Sequence, residues 1–231
     1  MAEPLRVFIG VDEKQPVALT VCAASVWRNA KRRVTIEPIR MDWMPGFTRR
    51  GLTQFTYARY GVPWMCGYQG TAIFMDGDIL VRGDVNDLAA LADPMASVSV
   101  AQHLARFEWP SVMVFNNALC TRLTPEYINH PSTNPQSLEW AGHVGRLPPE
   151  WNHAVLYDKH AEDAKLIHYT CGLPGWPETR KSPHADKWMA ELRLATSQCS
   201  WQELMGTSVH VERVAALNAV PIPGYTGPEK P

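Results

Sequence analysis

Two aspartates separated by one glycine, Asp76-Gly77-Asp78, follow directly on the apolar run Ala72-Ile73-Phe74-Met75. A short apolar run of this kind predicts a central strand over Thr71–Met75, which sets both carboxylates at the strand's carboxyl end. Like charges this close repel and raise one pKa unless a cation sits between them. A divalent ion removes the conflict. Hard cations such as Mg²⁺ or Mn²⁺ take carboxylate oxygens and keep positions open for substrate phosphates. In open α/β sheets ligands bind outside the carboxyl ends of the strands, and Gly77 lets the backbone pass close to such a ligand. The tripeptide alone also fits a polar strand-to-turn cap, because Asp and Gly are ordinary turn residues.

The elements needed to position this pair can be read on either side of it. Leu5–Val11 reads as a buried strand ending at Asp12, and Pro16 suits the first turn of a helix running over Val17–Ala30. A second strand follows at Val34–Ile39, so the chain opens as β-α-β. Leu52–Tyr60 is expected to be helical and to end before Gly61 and Pro63. Ile79–Arg82 continues extended, and Asp84 caps a short helix to Leu91. Further strands are expected at Ser97–Ala101, Val112–Phe115 and Lys165–Tyr169. Helices are expected from Thr124-Pro125-Glu126, over Ala185–Thr196 and, more weakly, over Val209–Ala219. The expected domain covers residues 1–219, with a Pro/Gly-rich tail over 220–231.

Composition excludes several classes of function. With 22 Lys+Arg against 23 Asp+Glu there is no basic footprint for nucleic acid. The five cysteines (Cys22, Cys66, Cys120, Cys171, Cys199) are scattered and include no Cys-x-x-Cys pair. That argues against a disulfide framework or a structural zinc site, and reduced thiols in a cytoplasm are the simple expectation. No signal-peptide pattern and no transmembrane segment is expected.

Three segments in order carry a family resemblance: Tyr57-Ala58-Arg59-Tyr60-Gly61-Val62-Pro63, then Ala72–Val81, then Gly83-Asp84-Val85-Asn86-Asp87-Leu88. Phe115-Asn116-Asn117-Ala118, Leu147-Pro148-Pro149-Glu150-Trp151-Asn152 and Lys165-Leu166-Ile167-His168-Tyr169 follow in the expected order. Together these resemble glycosyltransferase family 8, over roughly residues 5–178. The resemblance implies a GT-A type α/β fold, a single Rossmann-like open mixed sheet flanked by helices. It implies a metal-dependent transfer of a hexose from a UDP-sugar donor, with retention, to an acceptor hydroxyl on a glycan, a lipid-linked sugar or a protein. In that frame Asp76, Asp78 and His168 hold Mn²⁺ or Mg²⁺. Arg59, Asn116 and Asn117 line the donor, as do Asp76 and, near the uracil or ribose, Asp12. Gln136 or Glu139 substitutes for the family's Asp-Gln pair on the acceptor side. Each residue also has an ordinary structural role: Asp12 as a helix cap, Arg59 as an ion-pair partner, Asn116 and Asn117 as turn residues, His168 as a core histidine.

The chain departs from the family pattern after the histidine. The family's His-x-x-Gly-x-x-Lys-Pro-Trp is here His168-Tyr-Thr-Cys171-Gly172-Leu-Pro174-Gly175-Trp176, with Cys171 in place of the glycine and Pro174 in place of the lysine. Arg180 or Lys181 could supply the missing charge. The loss keeps open a second reading, a nucleotide-sugar-binding module without turnover. A haloacid-dehalogenase-type phosphatase also uses Asp-x-Asp after a strand. It wants the pair on an early strand and a Thr or Val where this chain has Leu80. A sugar nucleotidyltransferase wants a Gly-rich phosphate loop near the N-terminus, and none is seen.

Overall fold

The computed structural model describes residues 3–101, 109–159 and 161–196. The elements run β1 (Leu5–Gly10), α1 (Pro16–Asn29), β2 (Val34–Ile39), α2 (Val62–Met65), β3 (Thr71–Met75), β4 (Ile79–Val81), α3 (Val85–Ala90), β5 (Val98–Val100), β6 (Val112–Asn116), α4 (Pro125–Asn129), β7 (Val144–Arg146), β8 (His153–Ala154), β9 (Leu166–His168) and α5 (Ala185–Ala195). Six strands form a mixed sheet in the order β2-β1-β3-β6-β5-β7, and β4-β9-β8 form a second, smaller sheet. The mixed α/β sheet is the one expected; the separate three-stranded sheet departs from the single sheet that the resemblance implies. The expected helix over 209–219 and the tail over 220–231 lie outside the described residues.

Strict alternation along the central strands builds two cores on opposite faces of the large sheet. Phe8, Ala72, Phe74, Met113 and Phe115 point to one face, where they meet Tyr60, Phe47 and Trp140. Val7, Ile9, Ile73, Met75, Val112 and Val114 point to the other, onto Cys22 and Val26 of α1 and Val85 and Leu88 of α3. Because both faces are covered, the strands read as continuous apolar runs. Helix α1 starts at Pro16 and buries Val17, Ala18, Val21, Cys22, Ser25 and Val26, a stripe at helical spacing. Ser25 also accepts a hydrogen bond from the Val81 N–H at 3.0 Å, which ties α1 to β4. A third cluster, around Trp188 and Leu192 of α5, packs on Val17, Val21, Leu80 and Ile167 and seats the small sheet against α1.

Two expectations for local structure are corrected. Leu52–Tyr60 is not a helix. It is a run of turns ending in a 3₁₀ segment, Ala58–Gly61, and the chain enters α2 through Gly61 with Pro63 in the first turn. Proline is tolerated there because its missing N–H has no helical partner at that position. Strand β7 falls in a stretch that reads as irregular and polar. It is a three-residue edge strand, and its Gly145 backs onto Ser99 and Asp93 with no room for a Cβ.

Trp188 is fully buried and Trp27 is 62% exposed. Replacing Trp188 by alanine should lower the unfolding free energy in a urea titration by about 3–5 kcal/mol. Trp27→Ala should change it by no more than about 0.5 kcal/mol. Equal stability of the two variants would show that α5 stands outside the cooperative core.

Candidate active site

The strand order sets the location of the site. β1 runs parallel to β2 on one side and to β3 on the other, so its two neighbours are reached by connections that leave in opposite directions. Such a switch point opens a crevice at the carboxyl ends of the strands. Asp12 follows β1 and Asp76 follows β3, so the two stand on either side of it. The two loops touch through backbone alone. A Cβ on Gly77 would lie 2.5 Å from the Gly10 carbonyl oxygen, and a Cβ on Gly10 would lie 2.6 Å from the Phe55 ring. Only glycine lets these loops approach so closely.

The small sheet supplies the third residue. β4 and β9 pair antiparallel with Ile79 opposite His168, which puts Asp78, one residue before β4, beside the histidine. The Tyr169 N–H donates to the Asp78 carbonyl at 3.0 Å and closes the pair. His168 Nε2 lies 3.2 Å from Asp78 Oδ1 and 4.0 Å from Asp76 Oδ2. One ligand atom from each of Asp76, Asp78 and His168 falls within 4.8 Å of the others. Two ligands of one ion at about 2.1 Å stand up to about 4.2 Å apart, so the triad fits a single divalent cation with small adjustments. Its oxygen, oxygen and imidazole-nitrogen set accommodates Mn²⁺ better than an all-oxygen site would. Asp76 and His168 are buried, and Asp78 is half-buried.

Arg59 completes the cluster from the other side. Its Nη2 lies 3.0 Å from Asp76 Oδ1, and its Nη1 donates to the Pro110 carbonyl at 2.8 Å. The guanidinium stands over the rings of Phe74 and Phe55, at 4.9 and 5.5 Å from their centroids. Burial pushes the Asp78 carboxyl up. The charge and hydrogen bond of His168, with a contribution from Arg59, outweigh it and hold the group below the ordinary carboxylate value. Behind Asp76, the Cys22 Sγ sits 4.0 Å from the Asp76 carbonyl oxygen. Burial, reinforced by the negative charge of Asp78 and Asp76, pushes the Cys22 thiol far above its usual range. It is therefore a packing group and no nucleophile.

The other residues named from the sequence fall elsewhere. Asp12 stands at the crevice, but its Oδ1 accepts the Lys14 N–H at 3.0 Å, so it also caps its own turn. Asn116 and Asn117 are not at the end of the sheet where Asp76, Asp78 and His168 meet. β6 is antiparallel to β3, so Asn116 pairs with Thr71 and Val112 with Met75. That is four strand steps, about 13 Å, from the Met75 end. There Asn116 donates to the Pro94 carbonyl and Asn117 to the Gln69 carbonyl. The residues of this segment that do reach the site are Pro110, through Arg59, and Ser111, whose carbonyl accepts the Asp76 N–H at 2.9 Å. The signal that could have found them is strand direction, because the start of an antiparallel partner meets the end of β3.

Gln136 and Glu139 are likewise outside the triad. Gln136 sits in the 3₁₀ turn Pro135–Ser137, and Glu139 is exposed. Their segment is anchored by Trp140, whose indole N–H donates to the Pro135 carbonyl and whose ring stacks on Phe115, the strand partner of Ala72. Arg180 and Lys181 are exposed. In the loop after His168 the turn's demand for glycine is met one residue late. Gly172 has φ +121° and Trp176 packed where a Cβ would stand, while Cys171 is exposed.

Similarity to solved structures agrees with this geometry. The fold superposes on the bifunctional glycosyltransferase WbbM with a TM-score of 0.62 at 15% identity, over 89% of this chain and 51% of that one. It superposes on the galactosyltransferase LgtC, solved with donor and acceptor sugar analogues, with a TM-score of 0.60 at 12% identity, over 87% of this chain and 100% of that one. GlyE of Streptococcus pneumoniae gives a TM-score of 0.61 at 16% identity, over 88% and 63%. The protein thus has the GT-A fold of glycosyltransferases, and at the level of fold the resemblance read in the sequence is borne out. By sequence it is similar to Protein CDI of Arabidopsis thaliana, 25% identical over 227 residues covering 82% of this chain and 86% of that protein. It spans about half of WbbM. No protein-family model matches the chain. Among the described residues no helix is long and apolar enough to cross a membrane.

Gly77→Ala should force the two loops apart. The expected cost is about 1–3 kcal/mol in stability, with at least a tenfold weaker Mn²⁺ affinity by calorimetry. An unchanged affinity would show that the close approach of Gly10 and Gly77 does not shape the triad. Acid denaturation gives a separate check on the metal-free protein. The depressed Asp78 group stabilises the fold fully above its ordinary pKa of 3.8 and loses that contribution as the pH falls through its lower folded value. His168→Ala should therefore move acid unfolding to higher pH.

Proposed function

We propose that this protein is a metal-dependent glycosyltransferase that moves a hexose from a UDP-sugar to an acceptor hydroxyl with retention of configuration. The observation that carries the reading is the convergence of Asp76, Asp78 and His168 on one cation-sized space, at the switch-point crevice of a GT-A fold. A bound Mn²⁺ or Mg²⁺ would supply charge neutralisation for the departing diphosphate. Asp76 and Asp78 hold it from the end of β3, and His168 holds it from the small sheet. Asp12 stands across the crevice at the end of β1, within reach of the nucleoside part of a donor lying over the strand ends. Retention by front-face attack needs no strong protein nucleophile, which suits a site where the Cys22 thiol is buried behind Asp76. The acceptor is a hydroxyl of a glycan, a lipid-linked sugar or a protein.

A second reading, binding without turnover, is favoured by one specific observation. Pro174 stands where the family's diphosphate-contacting lysine would be, and Arg180 and Lys181 are exposed. UDP release from a panel of UDP-sugars with Mn²⁺ separates the two. The transferase reading expects turnover with at least one donor, abolished by EDTA and reduced about a hundredfold or more in Asp78→Ala. Tight UDP binding with no turnover across the panel would decide for the binding module.

A further inference from the structure

Arg59 is a permanent cation that meets the triad directly, at Asp76. It is 7% exposed. Its two terminal nitrogens are committed, one to Asp76 Oδ1 and the other to the Pro110 carbonyl. The rings of Phe55 and Phe74, neighbours of each other, pack beside it. The backbone beneath it is fixed as well, since the Arg59 N–H donates to the Phe55 carbonyl. To reach a diphosphate the guanidinium would have to give up an ion pair, a hydrogen bond and aromatic packing together. A guanidinium held at both terminal nitrogens, with aromatic rings packed beside it, is instead well suited to orient a carboxylate.

We propose that Arg59 is the positioning residue of this site: it takes Asp76 Oδ1 and thereby turns Oδ2 toward His168 and Asp78, fixing the carboxylate's rotamer before any ion arrives. The inference rests on the metal reading of the triad given above. The division of labour within Asp76 is visible in the distances, Oδ1 at 3.0 Å from Arg59 and Oδ2 at 4.0 Å from His168. It has an electrostatic consequence. Two carboxylates and one guanidinium sum to −1, so with a neutral histidine a divalent ion leaves the assembly at +1. The residual charge faces the crevice where a diphosphate would lie. This chain lacks the family's lysine after the histidine, and Arg59 contributes positive charge there through Asp76 without touching the donor. The Pro110 carbonyl completes the arrangement by fixing the far nitrogen. Pro110 is followed by Ser111, whose carbonyl holds the Asp76 backbone, so one short turn orients both partners of the ion pair.

The test uses the full-length protein and three forms: parent, Arg59→Met and Arg59→Lys. Methionine keeps apolar packing against the two rings, and lysine keeps the charge without the fork. Mn²⁺ alone is titrated, with free Mn²⁺ read by electron paramagnetic resonance, and UDP binding is measured separately at saturating Mn²⁺. A positioning residue predicts that Mn²⁺ affinity falls about 10–100-fold in Arg59→Met with no nucleotide present. Arg59→Lys should recover only part of that loss, and UDP affinity at saturating Mn²⁺ should change much less. Unchanged Mn²⁺ affinity with a large loss of UDP affinity would overturn the proposal and make Arg59 a donor-binding group. Metal-free crystal structures of the parent, Arg59→Met and Arg59→Lys supply an arm independent of metal binding. Displacement of the Asp76 carboxylate from the parent position supports the proposal, and retention of its rotamer in both variants sinks it. A parent protein that binds no Mn²⁺ would defeat the metal reading, while the crystallographic arm would still decide whether Arg59 orients Asp76.

Discussion

Ile79 and His168 face each other across two antiparallel strands of three residues each, and the chemistry of the molecule hangs on that pairing. Without it Asp76 and Asp78 would be two repelling carboxylates at the mouth of a crevice. With it, an imidazole from a distant part of the chain is delivered to 3.2 Å from Asp78. So short a ladder cannot hold its register alone. The Tyr169 N–H bond to Asp78 extends it at one end, and Arg82 and Gly83 N–H bonds to Lys165 extend it at the other. Ser25 fastens it to α1, and Trp188 covers its outer face. Each of these contacts is ordinary packing or hydrogen bonding. Their joint effect is to place one nitrogen atom.

The crevice itself is made by the large sheet, and there the demands are different. Two loops at the ends of β1 and β3 must come within backbone contact, and the carboxylate between them must not collapse onto the neighbouring charge. Glycines at 10 and 77 meet the first demand. The second is met by burying a guanidinium against two phenylalanines of the adjoining core. Burying a charge is costly unless it is paired and hydrogen-bonded, and here Asp76 and Pro110 provide both. The hydrophobic core therefore reaches directly into the site.

Much of this was legible in the residues, for physical reasons that differ from place to place. Strands β1 and β3 and helix α1 announce themselves because both faces of the sheet are covered there, so apolar runs and a helical stripe stand out against the loops; β2, at the sheet edge, shows instead as alternating β-branched and polar residues. Asp84 and Thr124 cap α3 and α4 as their residue types suggest, each accepting a backbone N–H in the first turn. The cluster of Asp76, Asp78 and His168 was legible through an apolar strand ending in Asp-Gly-Asp and a histidine closing a later strand. What escaped was relative direction. Asn116 looks like a site residue when its strand is read as a motif. Only the antiparallel register shows that the strand enters at the crevice and leaves at the far end. The segment before Arg59 escaped for another reason: its turns are held by distant partners, such as the Gln54 carbonyl accepting from Met41 and Phe55 packing under Gly10, which local pattern does not encode.

The contact between Gly77 and the Gly10 carbonyl bears on how such a site can change over evolutionary time. Most interior contacts have a side chain on at least one side, and a side chain can be trimmed, lengthened or turned while its partner adjusts. This one has main chain on both sides, with an aromatic ring closing off Gly10. It offers no gradual route. The spacing between the two loops is inherited as a unit or lost as a unit. A change in what the crevice accepts is therefore easier to make in the side chains around it than in this floor, where any added Cβ moves both loops together.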